Sequence, residues 1–171
     1  GLRHKIANYP GVTVEKKEGM LLLPESRRTI TILDLPGAYS LLTRSPDEEI
    51  VHRVITGRQP GTPAPDLLVV IVDASNLERN LFFVTQLLET KIPCVLVLNM
   101  WDVVTRSGAV VDLAKLAMTL QVCVVPTIGS QHQGIPELKT VLERKLKEAA
   151  FSNPSGFKVA MPSDVETQLS K

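Results

Sequence analysis

Apolar residues fall along this chain in two distinct patterns. Leu67–Val72 and Cys94–Leu98 are apolar at every position and rich in β-branched residues. Strands with no polar face are buried on both sides, which predicts a parallel sheet covered by helices. Val122–Val125 is a shorter run of the same kind. Thr29–Leu33 and the more polar Val12–Leu23 read as two strands joined by a hairpin turn at Pro24–Arg28. Elsewhere the spacing is helical. Asp47–Thr56 opens with acids, as a helix N-terminus prefers. Asn80–Thr90 sets Leu81, Val84, Leu87 and Leu88 on one face, and Val111–Leu120 repeats the pattern. Ile135–Ala150 carries Pro136 and Glu137 in its first turn. The order β-β-α-β-α-β-α-β-α predicts an α/β, doubly wound, mostly parallel sheet with one antiparallel hairpin. Ser152–Gly156 has linker composition, and Phe157–Lys171 beyond it is too short for a domain.

Composition narrows the function. The 171 residues suit one domain with a real core. A net charge of +1 and 4% aromatics give no electrostatic footprint and little stacking surface for nucleic acid, so no nucleic-acid partner is expected. No apolar run approaches the roughly 20 residues that span a bilayer. Cys94 and Cys123, with no metal-ligand spacing, read as small core residues of a reducing compartment. His4, His52 and His132 are scattered and read as solvated. The opening Gly1-Leu2-Arg3 suggests a piece of something longer.

In such sheets ligands bind where the strands end, so the chemistry is expected in those loops. After Thr29–Leu33 comes Asp34-Leu35-Pro36-Gly37. A carboxylate there suits the hard-oxygen shell of Mg²⁺, and a glycine lets backbone N–H approach a phosphate oxygen. After Cys94–Leu98 comes Asn99-Met100-Trp101-Asp102. A carboxylate can accept from both donors on a guanine edge, whereas adenine would leave it unpaired. Ile128-Gly129-Ser130 offers backbone N–H groups for a guanine carbonyl, and Thr13 a hydroxyl for Mg²⁺. Each signal is weak by itself, since turns and helix caps use the same residues. Their order along the chain is that of a GTPase.

Four longer stretches carry a specific resemblance: Asn8–Gly19, Asp34–Leu41, Ser45–Glu49 and Val72–Leu81, continuing through Ile92-Pro93-Cys94 into Asn99–Asp102. They resemble the cytoplasmic G domain of the ferrous-iron transport protein B family, over about Leu2 to Ala150. Met100, where most GTPases carry Lys, is itself similar to this family. The resemblance implies residues 1–150 as a truncated G domain and 151–171 as a linker and the start of a helical domain. It implies GTP or GDP and Mg²⁺ as cofactors, with K⁺ a further candidate ion. Thr13 would close over Mg²⁺ and the γ-phosphate, and Asp34 would hold Mg²⁺ through water. Gly37 would contact the γ-phosphate, Asn99, Met100 and Asp102 would form the base site, and Gly129-Ser130 would lend a backbone N–H. Ala38 stands where many GTPases carry the Gln that orients water, so catalysis would rest on positioning. The partner would be the transport domain of the same protein, at the cytoplasmic face of the inner membrane, with iron translocated by the parent and not bound here.

One feature of a GTPase is missing. No G-x-x-x-x-G-K-[ST] occurs in the sequence. The resemblance places that loop, the first strand and most of the first helix ahead of Leu2, with that strand central in the sheet. The strands ending at Asp34 and Asp73 are therefore expected to face a gap with bare backbone groups. The expectation is poor stability and little or no GTP binding by these residues alone. Two alternatives are a degenerate G domain serving as a binding module and a soluble translation-type GTPase.

Overall fold

The computed structural model describes residues 5–10, 13–42, 45–152 and 158–162. Seven strands form one sheet: β1 (Lys5–Asn8), β2 (Glu15–Leu22), β3 (Thr29–Leu35), β4 (Leu67–Asp73), β5 (Cys94–Asn99), β6 (Cys123–Pro126) and β7 (Lys158–Pro162). Their spatial order is β1-β2-β3-β7-β4-β5-β6. Strands β3, β7, β4, β5 and β6 run parallel, and β1 and β2 add an antiparallel extension. The helices are α1 (Pro46–Ile55), α2 (Leu77–Glu89), α3 (Trp101–Ser107), α4 (Leu113–Leu120) and α5 (Ile135–Ser152).

The unbroken apolar strands do what their pattern predicts. Alternate residues of β4 and β5 serve two separate cores. Leu68, Val70, Leu96 and Leu98 pack with Ile50 and Val54 of α1 and Val84 and Leu87 of α2. Leu67, Val69, Val95 and Val97 pack with Leu138, Leu142 and Leu146 of α5. Ser45 caps α1 by accepting from the Glu48 N–H at 3.2 Å. Helix α5 is also fixed by charge. The buried Glu143 carboxylate accepts from the Glu25 and Ser26 N–H groups of the β2–β3 turn and meets Lys147 at 3.5 Å. Burial alone would raise its pKa. The Ser26 and Glu25 hydrogen bonds and the Lys147 charge outweigh that and bring it down to about 2.

The structure departs from the sequence reading at three elements. Strand β1 and helix α3 are additional. The third departure matters more: the gap expected between β3 and β4 is filled by β7, from the segment expected to lead into a helical domain. Thr31–Leu35 pair with Lys158–Pro162, and Leu67 and Leu68 pair with Val159 and Ala160. Two apolar parallel strands with bare inner edges leave backbone groups that demand partners, and this segment supplies them.

Candidate functional site

The C-terminal ends of β3, β4, β5 and β6 lie at one edge of the sheet, and the loops singled out in the sequence leave from them. Asn99 closes β5, and its Oδ1 accepts from the Gly129 N–H at 3.0 Å and from the Thr127 hydroxyl at 3.3 Å. Thr127 N–H donates to the Leu98 carbonyl, and Trp101 N–H to the Thr127 carbonyl. Four hydrogen bonds thus bind residues 98–101 to residues 127–129. Met100, in the left-handed region at φ 60°, turns the chain into α3 and leaves its side chain exposed. Asp102 lies in the first turn of α3 and pairs with Arg106 one turn on at 2.7 Å. An exposed pair of this kind is worth roughly 0–1 kcal/mol. A base donating to the carboxylate gains about 1.5–3 kcal/mol per hydrogen bond, so Arg106 does not bar it.

The 128–133 loop is closed by paired backbone bonds between Ile128 and Gln133. Gly129 is buried within it and Ser130 is exposed. The loop hinges on Gly134, at φ 79°, where an added Cβ would lie 2.3 Å from the Pro126 carbonyl oxygen. Trp101 lines a cavity of about 280 Å³ beside this loop, with Thr127, Ile128 and Gly134 on its walls.

At the β3 end, Asp34 is buried and Gly37 is exposed. Gly37 does not need to be glycine for the fold, since a Cβ there meets nothing within 4 Å and its φ is not left-handed. The segment after it is held to α2: Leu41 N–H donates to Gln86 Oε1 at 2.9 Å, and the Arg79 guanidinium lies 5.1 Å from the Tyr39 ring. Thr13, exposed, precedes β2 at the same edge, because β2 and β3 are antiparallel with Lys17 opposite Asp34. Next to Thr13, the Val14 carbonyl accepts from Tyr9 N–H at 3.0 Å. The Tyr9 phenol is buried, and its pKa is raised by that burial and then by the charges of Asp34 and Glu18. At the β4 end, Asp73 accepts from Ser75 N–H and Oγ, and Asn80 Nδ2 donates to the Asp73 and Asn76 carbonyls.

The structure therefore joins Asn99 to Gly129 by a hydrogen bond, with Met100 and Asp102 following Asn99 and Ser130 following Gly129, and sets Asp34, Gly37 and Thr13 at another part of the same edge. Sequence reasoning missed Thr127 and Gly134. Their signals were a hydroxyl directly after a strand and a glycine directly before a helix.

The donor chemistry fits the groups the loops suggest. Asp34 and Thr13 are hard oxygen ligands suited to Mg²⁺. Asp102 presents a partly exposed carboxylate beside backbone loops held by Asn99, as a purine with two edge donors requires. Among the described residues no group of three His, Cys, Asp or Glu side chains is close enough to hold a metal ion. No described helix is long and apolar enough to cross a membrane.

The chain is 41% identical over 149 residues to the Fe(2+) transporter FeoB of Salmonella typhimurium and 40% identical to that of Escherichia coli strain K12. Each alignment covers 84% of this chain but 18% of the relative. Among solved structures, the cytosolic domain of L. pneumophila FeoB superposes with a TM-score of 0.74 at 38% identity, over 83% of this chain and 54% of that one. The FeoB G-domain from Methanococcus jannaschii gives 0.69 at 40% identity, over 79% and 80%. The T. maritima FeoB cytosolic domain in its GMPPNP form gives 0.74 at 31%, over 96% and 61%. Residues 1–142 match the FeoB_N family model, described as Ferrous iron transport protein B, and the chain belongs to that family.

Proposed function

We propose that this chain carries the guanine-reading part of a GTP-binding and GTP-hydrolysing domain that regulates ferrous iron uptake by a longer transporter. The single observation that carries the reading is Asn99 Oδ1 holding Gly129 N–H and the Thr127 hydroxyl, beside an Asp102 carboxylate open to a base. In this reading Asp102 accepts from the two donors of a guanine edge and the Gly129-Ser130 backbone meets its carbonyl. Met100 flanks the base. Asp34 and Thr13 hold Mg²⁺, which neutralises phosphate charge when bound, and Gly37 lets backbone approach the terminal phosphate. Ala38 has no hydrogen-bonding side chain, so hydrolysis proceeds by positioning. The T. maritima relative in a GMPPNP form supports the nucleotide class. This domain sits at the cytoplasmic face of the inner membrane, and iron passes through other parts of the transporter.

The affinity of these 171 residues is set by the groups they contain. Base contacts of about 1.5–3 kcal/mol each work against a loss of freedom of at least ~4 kcal/mol, with no Lys-bearing glycine-rich cradle to add to them. Binding falls in the millimolar range, roughly −4 kcal/mol. Calorimetric titration with Mg²⁺-GTP and Mg²⁺-ATP tests this. Weak binding confined to the guanine nucleotide is expected. Equal binding of both sinks the base-reading assignment, and micromolar GTP affinity sinks the account of a missing cradle.

A further inference from the structure

The cavity of about 280 Å³ beside the 128–133 loop lies between the start of α3, the end of β6 and the first turn of α5. Two of the side chains that line it, Trp101 and Glu137, have no part in the proposed nucleotide contacts. Trp101 is the only tryptophan in the chain. It is half-buried, packs against the core that α1 and α2 share, and also lines the cavity. Glu137 is exposed, and its carboxylate has no ion-pair or hydrogen-bond partner among the described residues. Two other glutamates of α5 are treated differently: Glu143 meets Lys147 at 3.5 Å and Glu148 meets Lys145 at 2.7 Å. The carboxylate at the cavity is the one left uncompensated.

An indole ring and an unpaired carboxylate on the walls of one cavity both attract a cation. The start of a helix favours an anion instead, but this cavity suits one badly. Pro136 has no N–H to offer, no lysine or arginine is among the lining residues, and Glu137 sets a like charge there. A bare metal ion finds one carboxylate and too few further ligands. The rest of the lining includes Val125, Pro126 and Ile128, an apolar wall that only a ligand with carbon can use. We propose that this cavity binds a small organic ammonium ion, its charge held by Trp101 and Glu137 and its carbon skeleton against Val125, Pro126 and Ile128. Gln133, exposed and also in the lining, offers a carboxamide to a polar group on the ligand. This assignment goes beyond nucleotide binding and stands or falls separately from it.

The test uses the full 171-residue chain, in which the emission of the single tryptophan reports on the cavity without a label. The probe is choline, titrated at constant ionic strength. Its control is 3,3-dimethylbutan-1-ol, which has the same shape without the charge. Choline is expected to change the Trp101 emission saturably and to shift the Trp101 indole N–H and the Ile128 and Glu137 amides in ¹⁵N spectra. The neutral alcohol is expected to bind at least tenfold more weakly. Glu137→Gln is expected to weaken choline binding at least tenfold. Glu148→Gln, on the same helix but paired with Lys145, is expected to change it by less than a factor of two. Absence of a saturable response, equal binding of choline and the alcohol, or unchanged binding by Glu137→Gln overturns the proposal. So does an equal loss in Glu148→Gln, or shifts confined to residues away from the cavity. The comparison of the two probes decides the matter even where Glu137→Gln fails to fold.

Discussion

Asn99 and Gly134 determine the shape of the base-side loops in different ways. Asn99 acts through its side chain, accepting from Gly129 and Thr127. Asn99→Ala leaves the Gly129 N–H without that acceptor and keeps only the backbone bonds of Thr127 with Leu98 and Trp101. On the proposed reading, the preference for Mg²⁺-GDP over Mg²⁺-ADP is therefore expected to fall in parallel titrations. Gly134 acts through what it lacks. Gly134→Ala forces a side chain into a left-handed position and against the Pro126 carbonyl. That strain costs roughly 1–3 kcal/mol in urea unfolding, with displacement of Gly129 and Ser130. Gly37 is the contrasting case, since its surroundings tolerate a Cβ. Gly37→Ala changes stability by no more than about 0.5 kcal/mol, as at an unconstrained surface site. On the proposed reading, its effect is expected only as weaker binding of a triphosphate relative to a diphosphate in parallel titrations. Asp34, Asn99 and Asp102 could be proposed from the sequence because a polar residue at the end of an apolar strand stands out. Thr127 and Gly134 could not, because their importance lies in distances to Asn99 and Pro126 that no local pattern encodes.

Among the elements, α5 is held to the rest of the fold in two ways. Leu138 and Leu142 are fully buried against β4 and β5, and Glu143 fastens the helix to the β2–β3 turn. Leu142→Ala is expected to cost about 2–5 kcal/mol by urea unfolding. The Glu143 carboxylate titrates near 2 in the fold against 4.5 for an ordinary glutamate. A depressed acid adds stability that is complete above about pH 4.5 and is lost as the pH falls towards 2. Glu143→Gln removes that part of the acid dependence and lowers stability at pH 7. Denaturation midpoints for both proteins across pH 2 to 7 check both effects. The elements that could be read from the sequence were β2 to β6, α1, α2, α4 and α5, most sharply the unbroken apolar runs of β4 and β5. Helix α3, seven residues long, has too few turns to show a periodicity, and β1, Lys5–Asn8, lacks the apolar run that marks the equally short β6. Strand β7 was illegible for a different reason, because its state comes from the two edges it joins and not from its own residues.

For the whole molecule, the parallel sheet places two groups of loops on one edge, and the nucleotide reading requires that both serve one ligand. The FeoB relatives share this fold, and the chain spans 18% of the length of the curated relatives it matches. The most direct measurement is nuclear magnetic resonance of the ¹⁵N-labelled chain titrated to millimolar concentrations with Mg²⁺-GDP and, separately, Mg²⁺-ADP. GDP is predicted to shift the amides of Asp102, Gly129 and Ser130 and the side-chain amide of Asn99, and ADP to leave them in place. Matching shifts with both nucleotides, or GDP shifts confined to residues away from these loops, would contradict the account.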